Sequence, residues 1–124
     1  MKWKLPWMTQ PSTSMVIRFA RIGDVRVVRT LVEKMIREAT TDRVPSTDRS
    51  SAIAWATRNK EILVAEENSG VVGFIHGVLH EDIIDGAPNL FITSFFVIAR
   101  RRNEGIGSSL LNASIQYAIK KEAS

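Results

Sequence analysis

Asn89–Ser109, NLFITSFFVIARRRNEGIGSS, runs from an apolar strand through three arginines into a tight Gly-Ile-Gly turn. The next stretch, LLNASIQYAIKKEA, has helical spacing, with Leu110, Leu111, Ile115, Ala118 and Ile119 placed to pack back onto a sheet. A strand, a cationic glycine-bearing turn and a helix start form, in that order, a place for phosphate. Backbone N–H groups converge in the turn, the first helical turn has donors without intrahelical acceptors, and the helix dipole favours negative charge. Gly105 and Gly107 remove side chains where a pyrophosphate must approach the backbone. Arg102 offers a guanidinium for charge-assisted bonds, Ser108 and Ser109 stand in the first helical turn, and Ile106 anchors the turn in the core. The Gly-x-Gly alone is equally compatible with a basic loop in which glycine only eases a strand-to-helix turn. It is neither a Walker loop, which needs a Lys-Ser/Thr ending, nor a dinucleotide fingerprint, since Leu110 occupies the place of the third glycine.

Upstream of this stretch, Met15 to Ala20 alternates as a first strand. Asp24 is placed to cap a helix running to about Thr40, with Val28, Leu31, Val32, Met35, Ile36 and Ala39 on one stripe. Thr41 to Arg49 reads as a polar loop in which Asp42 and Asp48 need no function. A short helix is predicted over Ser51 to Arg58. Glu61 to Glu67 and Val71 to Leu79 read as strands joined at Asn68-Ser69-Gly70, a hairpin signal. Asp85-Gly86-Ala87-Pro88 then turns the chain into Leu90 to Ile98, which is apolar on both faces, as expected of a central strand covered on each side. The order is strand, helix, helix, strand, strand, strand, helix: an α/β (α+β) domain over residues 15–124.

The 124 residues contain no cysteine, so they offer no disulfide, thiolate metal site or cysteine nucleophile; a cytoplasmic location is the expectation. The opening MKWKLPWMTQPSTS, residues 1–14, lacks an apolar core of signal-peptide length before Pro6 and reads as a flexible or tag-like arm. No apolar run is long enough to cross a bilayer, and no membrane partner is expected. The net charge of +4 arises from 17 basic and 13 acidic residues. Arg100-Arg101-Arg102 is the dense basic run, which suits a small anionic ligand better than a duplex, and no nucleic-acid partner is expected.

With those elements in order, the chain from about Met15 onward resembles the GCN5-related N-acetyltransferase (GNAT) superfamily. Ile17-Arg18-Phe19-Ala20-Arg21-Ile22-Gly23-Asp24 looks like the family's first strand and helix start, and Val71-Val72-Gly73-Phe74 like its third strand. Phe95-Phe96-Val97 followed by Arg102-Asn103-Glu104-Gly105-Ile106-Gly107 resembles its acetyl-CoA motif, Arg/Gln-x-x-Gly-x-Gly/Ala. The resemblance implies a mixed-sheet acyl-CoA N-acyltransferase fold, with acetyl-CoA or another acyl-CoA as co-substrate. Phe95, Phe96, Val97, Arg102, Asn103, Glu104, Gly105, Ile106, Gly107 and Ser108 are then the cofactor-binding residues. The implied reaction moves an acyl group to a primary amine of a small molecule or peptide. Family members continue past this helix with further strands and a helix, so a C-terminally truncated version of the fold is expected. A non-catalytic CoA-binding or protein-interaction module stays open beside the enzyme.

Catalytic residues are harder to place. Some family members carry a glutamate on the strand corresponding to Leu90–Ile98, where this chain has Thr93 and Ser94. His76 and His80, four apart, share one face of a regular strand, and imidazole changes charge nearest neutrality. His76 and Ser94 are therefore the catalytic candidates, with a packed, hydrogen-bonded His76 as the plainer reading. Glu81, Asp82 and Asp85 form either a carboxylate rim that attracts a cationic amine or a solvated turn. Tyr117, within the last helix, is given no acid role. The histidines and carboxylates lack zinc-ligand spacing, so no metal is expected. Leu90 to Ile98 is too apolar for a bare edge, and a homodimer through the incomplete sheet is expected.

Overall fold

A computed structural model of the chain describes residues 15–40, 48–68 and 70–122; the arm over 1–14 and Asp42 lie outside the described residues. The elements are β1 (Val16–Phe19), α1 (Val25–Ala39), α2 (Ser50–Arg58), β2 (Ile62–Glu67), β3 (Gly70–Glu81), β4 (Pro88–Val97) and α3 (Ile106–Glu122). Single 3-10 turns, Ile22–Asp24 and Ala99–Arg101, precede α1 and follow β4. This is the order expected from the sequence. The four strands form one sheet in the order β1-β2-β3-β4, each pairing antiparallel.

Period-two alternation sorts the strand side chains onto two covered faces. Val64, Phe74 and Phe96 pack with Val28 and Leu31 of α1 and Ile53 and Ala56 of α2. Leu63, Ala65, Ile75 and Val97 pack on the other face with Ile106 and Leu110 of α3. With helices on both sides, Ile62 to Ala65 is buried without interruption. The α1 stripe follows the sequence expectation through Met35, with Val28 and Leu31 buried and Val32 and Met35 packed against the same cluster, whereas Ala39 at the helix end is exposed.

Ile115 and Ile119, expected to pack α3 onto the sheet, are exposed at 39% and 51%; the buried side chains of the helix are Ile106, Leu110 and Ser114. Two further expectations change. Asp24 occupies the position before α1, yet its carboxylate makes no capping bond there. It turns back instead, accepting from the Arg21 backbone N–H at 2.7 Å and from both terminal nitrogens of Arg18 at 2.7 and 3.1 Å. Arg18 Nε also donates to Glu66 at 2.9 Å. The Arg18 guanidinium holds both carboxyls below their usual range, and the bonds to Asp24 and Glu66 in turn raise the pKa of Arg18. A cation on the adjoining strand outbids the free donors of the helix end because a charge-assisted fork is the stronger bond.

The second change concerns the last strand, which was expected to lie in the centre. It lies at the edge, leaving Phe91, Ile92 and Phe95 exposed at 54%, 38% and 40%. Apolarity on two faces reports what lies above and below a strand, not whether it has a second neighbour. Beyond Gly77, β3 and β4 also pair past the end of β2, forming a two-stranded arm. Its turn is held by Asp82, which accepts from Ile84 N–H at 2.7 Å, and by Asp85, which accepts from Ala87 N–H at 2.8 Å.

One irregularity positions the site. His76 pairs with Ser94 and Gly77 with Ile92, so Thr93 is an extra residue in β4 without a ladder partner. The bulge resets the alternation. Leu90 and Ile92 fall on the α3 side, where a Cβ added to Gly77 would come within 3.1 and 3.4 Å of them and 3.0 Å of Ser114 Oγ. Gly77 is needed there for close approach.

Candidate functional site

The turn between β4 and α3 is built by its own arginines. Arg102 Nε donates to Val97 C=O at 2.7 Å, another guanidinium nitrogen donates to Glu38 at 2.7 Å, and the group lies 5.1 Å from the centre of the Phe96 ring. Arg101 pairs with buried Glu67 and, at 3.0 Å, with Glu104. Sequence reasoning gave Arg102 to a phosphate. Its observed partners make it first a strut between the turn, the end of β4 and α1. Arg100 is exposed and has no ion pair among the described residues, so it is the member of the run most available to an anion.

The glycines divide the work. Gly105 has φ +86°, and a Cβ there would meet nothing within 4 Å. Its requirement is conformational, and the space over it is open. Asn103, with φ 65°, shares the left-handed region. Gly107 has a different reason: a Cβ would lie 3.2 Å from Phe95 Cζ and 4.0 Å from Val97. It lets the first turn of α3 sit close on β4. Ile106, 2% exposed, anchors that turn as expected, and Ser108 is exposed. Ser109 N–H bonds Gly105 C=O at 3.0 Å, the first bond of the helix. The N–H groups of Ile106, Gly107 and Ser108 therefore precede the intrahelical ladder and lie at the positive end of a 17-residue helix.

The strand leading into this turn has one open flank. Ile98 N–H is bonded inward to Val72 C=O at 3.0 Å. Antiparallel alternation then turns the main-chain groups of Phe95 and Val97 toward the outer side. Phe96 and Val97 side chains are buried, at 6% and 9% exposure. Outward-facing backbone thus runs from the outer edge of β4 toward the donors of α3, with Val97 C=O on it already accepting from Arg102 Nε.

Farther back along β4, the bulge carries a chain of polar contacts. Thr93 Oγ1 is 2.7 Å from His76 Nδ1 and 3.3 Å from His76 C=O, while His76 Nε2 is 2.9 Å from Glu61. Glu61 and His76 side chains are 15% and 26% exposed, and Thr93 is exposed. Ser94 lies opposite His76 in the ladder and is half-buried, so the bulged Thr93 is the hydroxyl that reaches the imidazole. His80 is exposed and packs edge-on against Phe91, with ring centres 6.0 Å apart. Tyr117 packs edge-on against Phe19 at 4.8 Å. No cluster with metal-holding geometry occurs among the described residues.

Sequence reasoning singled out His76 but missed Glu61, which precedes an apolar strand without any motif. Thr93 was read with Ser94 and His76 as leaving room for chemistry but was not placed among the catalytic candidates, because a bulge leaves no mark in the residue pattern.

Residues 28–124 match the family model described as the acetyltransferase (GNAT) family. The chain belongs to this family. A search of curated proteins gives no match. Among solved structures, this GNAT domain is similar to a possible acetyltransferase from Clostridium difficile 630, with a TM-score of 0.72 and 18% identity, over 83% of this chain and 70% of that one. An integron cassette protein from the mobile metagenome of Cole Harbour Salt Marsh gives a TM-score of 0.70 and 26% identity, over 86% and 71% of the two chains. The aminoglycoside N-acetyltransferase AAC(6')-Iy, solved in complex with CoA, gives 0.67 and 16%, over 92% and 75%. These likenesses show the GNAT fold. No helix among the described residues is long and apolar enough to cross a membrane.

Proposed function

We propose that this GNAT domain binds acetyl-CoA or another acyl-CoA and transfers the acyl group to a primary amine of a small molecule or peptide. The carrying observation is the open track from the outer edge of β4 to the unpaired donors at the start of α3, with clear space over Gly105. Backbone groups from Asn103 to Ser108, with Arg100 alongside, would hold the pyrophosphate. The outward groups of Phe95 and the N–H of Val97, whose C=O is taken by Arg102, would bond the amides of the pantetheine arm. Acyl-CoA supplies an acyl group activated as a thioester. The domain's own task is to orient that group, admit the amine and remove its proton. His76, backed by Glu61 and paired in the ladder with Ser94 one residue before Phe95, is the candidate proton acceptor, and Ser94 is a second candidate group.

The likeness to AAC(6')-Iy supports a small-molecule amine as acceptor. The exposed apolar residues Phe91 and Ile92, in the two-stranded arm of β4 beyond the stretch given to the pantetheine, support a homodimer that covers that part of the edge and leaves Phe95 to Val97 open. Isothermal titration with acetyl-CoA and with CoA tests binding, and thiol release across a panel of amines tests transfer. Saturable binding of both ligands is expected. Absence of binding at millimolar ligand overturns the reading.

A further inference from the structure

Glu61, His76 and Thr93 form a hydrogen-bonded chain whose three members come from the residue just before β2, from β3 and from the bulge of β4. Their chemistry fixes the direction of the chain. An ionised carboxylate only accepts, so the contact between Nε2 and Glu61 requires a proton on Nε2. In the neutral ring Nδ1 is then the acceptor, and Thr93 Oγ1, 2.7 Å away, must donate to it. The lone pairs of that exposed hydroxyl are left facing outward. They offer an acceptor to an arriving ammonium, which has only donors.

We propose that Thr93 is the catalytic residue that takes the proton from the acceptor amine and passes its own to His76, with Glu61 as the positioning residue that sets the imidazole tautomer. The proposal rests on the acyl-transfer reading above. One N–H bond of the ammonium breaks as a new O–H bond forms on Thr93 Oγ1. The original O–H bond of Thr93 breaks as an N–H bond forms on His76 Nδ1. The amine becomes neutral, its lone pair is freed for attack, Thr93 remains a neutral hydroxyl, and the ring becomes an imidazolium beside Glu61.

The structure provides for the state after transfer as well. Protonated Nδ1 now donates to Thr93 Oγ1, whose hydrogen needs another acceptor. His76 C=O stands 3.3 Å from the same oxygen. The hydrogen received from the amine reaches that acceptor by rotation about the Cβ–Oγ1 bond, while the original hydroxyl hydrogen stays on Nδ1. A regular ladder would not build this arrangement: without the bulge, Thr93 would follow the alternation onto the face opposite Ser94.

The test combines activity with a readout that is independent of it. Thr93→Val, Thr93→Ser and Glu61→Gln are compared with wild type by CoA titration, by steady-state transfer to an amine found in the panel, and by nitrogen-15 NMR of the imidazoles. His80→Gln assigns the two histidines. All variants are expected to bind CoA as wild type does. Thr93→Val should lose about 10²-fold in kcat with little change in the KM for acyl-CoA, and Thr93→Ser should retain most of the rate. The neutral His76 ring should carry its proton on Nε2 in wild type, with the Nδ1–H form gaining in Glu61→Gln. Wild-type kcat in Thr93→Val, or an Nδ1–H ring in wild type, overturns the relay while leaving CoA binding intact. An acyl group found by mass spectrometry on Thr93 also overturns it, by making the hydroxyl a nucleophile. Failure of wild type to bind CoA strikes the acyl-transfer reading instead.

Discussion

Replacing Gly105 with alanine separates the conformational role of the turn from its role in binding. The residue has φ +86°, where an L side chain is strained by about 1–2 kcal/mol. Alanine also narrows the unfolded ensemble, which returns roughly 0.4–1 kcal/mol. A Cβ at this position meets nothing within 4 Å, so no packing cost is added. The expected net loss is about 1 kcal/mol, or roughly 4 °C in Tm for a domain of this size. Gly23→Ala is the control, since it too has open space around its Cβ but no positive φ. It should stay within about 0.5 kcal/mol of wild type. The new methyl at position 105 would also project into the space assigned to the pyrophosphate, so acetyl-CoA affinity should fall by about tenfold or more, a change of ~1.4 kcal/mol. Thermal melting by circular dichroism reads the first effect and isothermal titration the second. A Gly105→Ala protein as stable as Gly23→Ala would refute the conformational argument. One that is destabilised yet binds acetyl-CoA like wild type would place the pyrophosphate somewhere else.

The Arg18–Asp24 fork predicts an acid-sensitive contribution to stability. The carboxyl of Asp24 is held below its ordinary value in the folded protein, chiefly by Arg18, so its contribution is complete above the unfolded carboxylate pKa and is lost as pH falls through the folded value. Asp24→Asn should therefore cost about 1–3 kcal/mol at neutral pH, and urea melts should show that gap closing below about pH 4; a gap independent of pH would refute the assignment. Arg102→Ala removes the bond to Val97, the pair with Glu38 and the stacking on Phe96, and should lower stability by about 1–2 kcal/mol. Glu38→Ala, which breaks only the exposed pair, should cost less than about 1 kcal/mol in the same melts, and equal losses would show that the strut role of Arg102 is misjudged.

What the sequence made legible, and what it hid, follows from the range of the interactions involved. The turn from Arg102 to Gly107 could be read because its requirements are local: a left-handed residue at 105, a small one at 107 and an apolar anchor at 106 are each written into neighbouring positions. The antiparallel pair of β2 and β3 was legible for the same reason, since two strand patterns close in sequence mark a hairpin. The edge position of β4 was not, because a second hydrogen-bonding neighbour depends on backbone pairing and leaves no trace in side-chain polarity. The polar chain at the bulge lies farther still from what a pattern can show. Glu61 and His76 are 15 positions apart, and His76 and Thr93 are 17 apart. They meet only because β3 pairs on one side with β2 and on the other with a strand that carries one residue too many. The identity of that extra residue matters as much as its position: a valine would have kept the strand propensity of Thr93 and removed the hydroxyl on which the chain ends. The proposed binding is thus encoded in a contiguous turn, whereas the proposed chemistry is encoded in strand register. A substitution that removed the bulge would be expected to leave the CoA turn formed while separating Thr93 from His76.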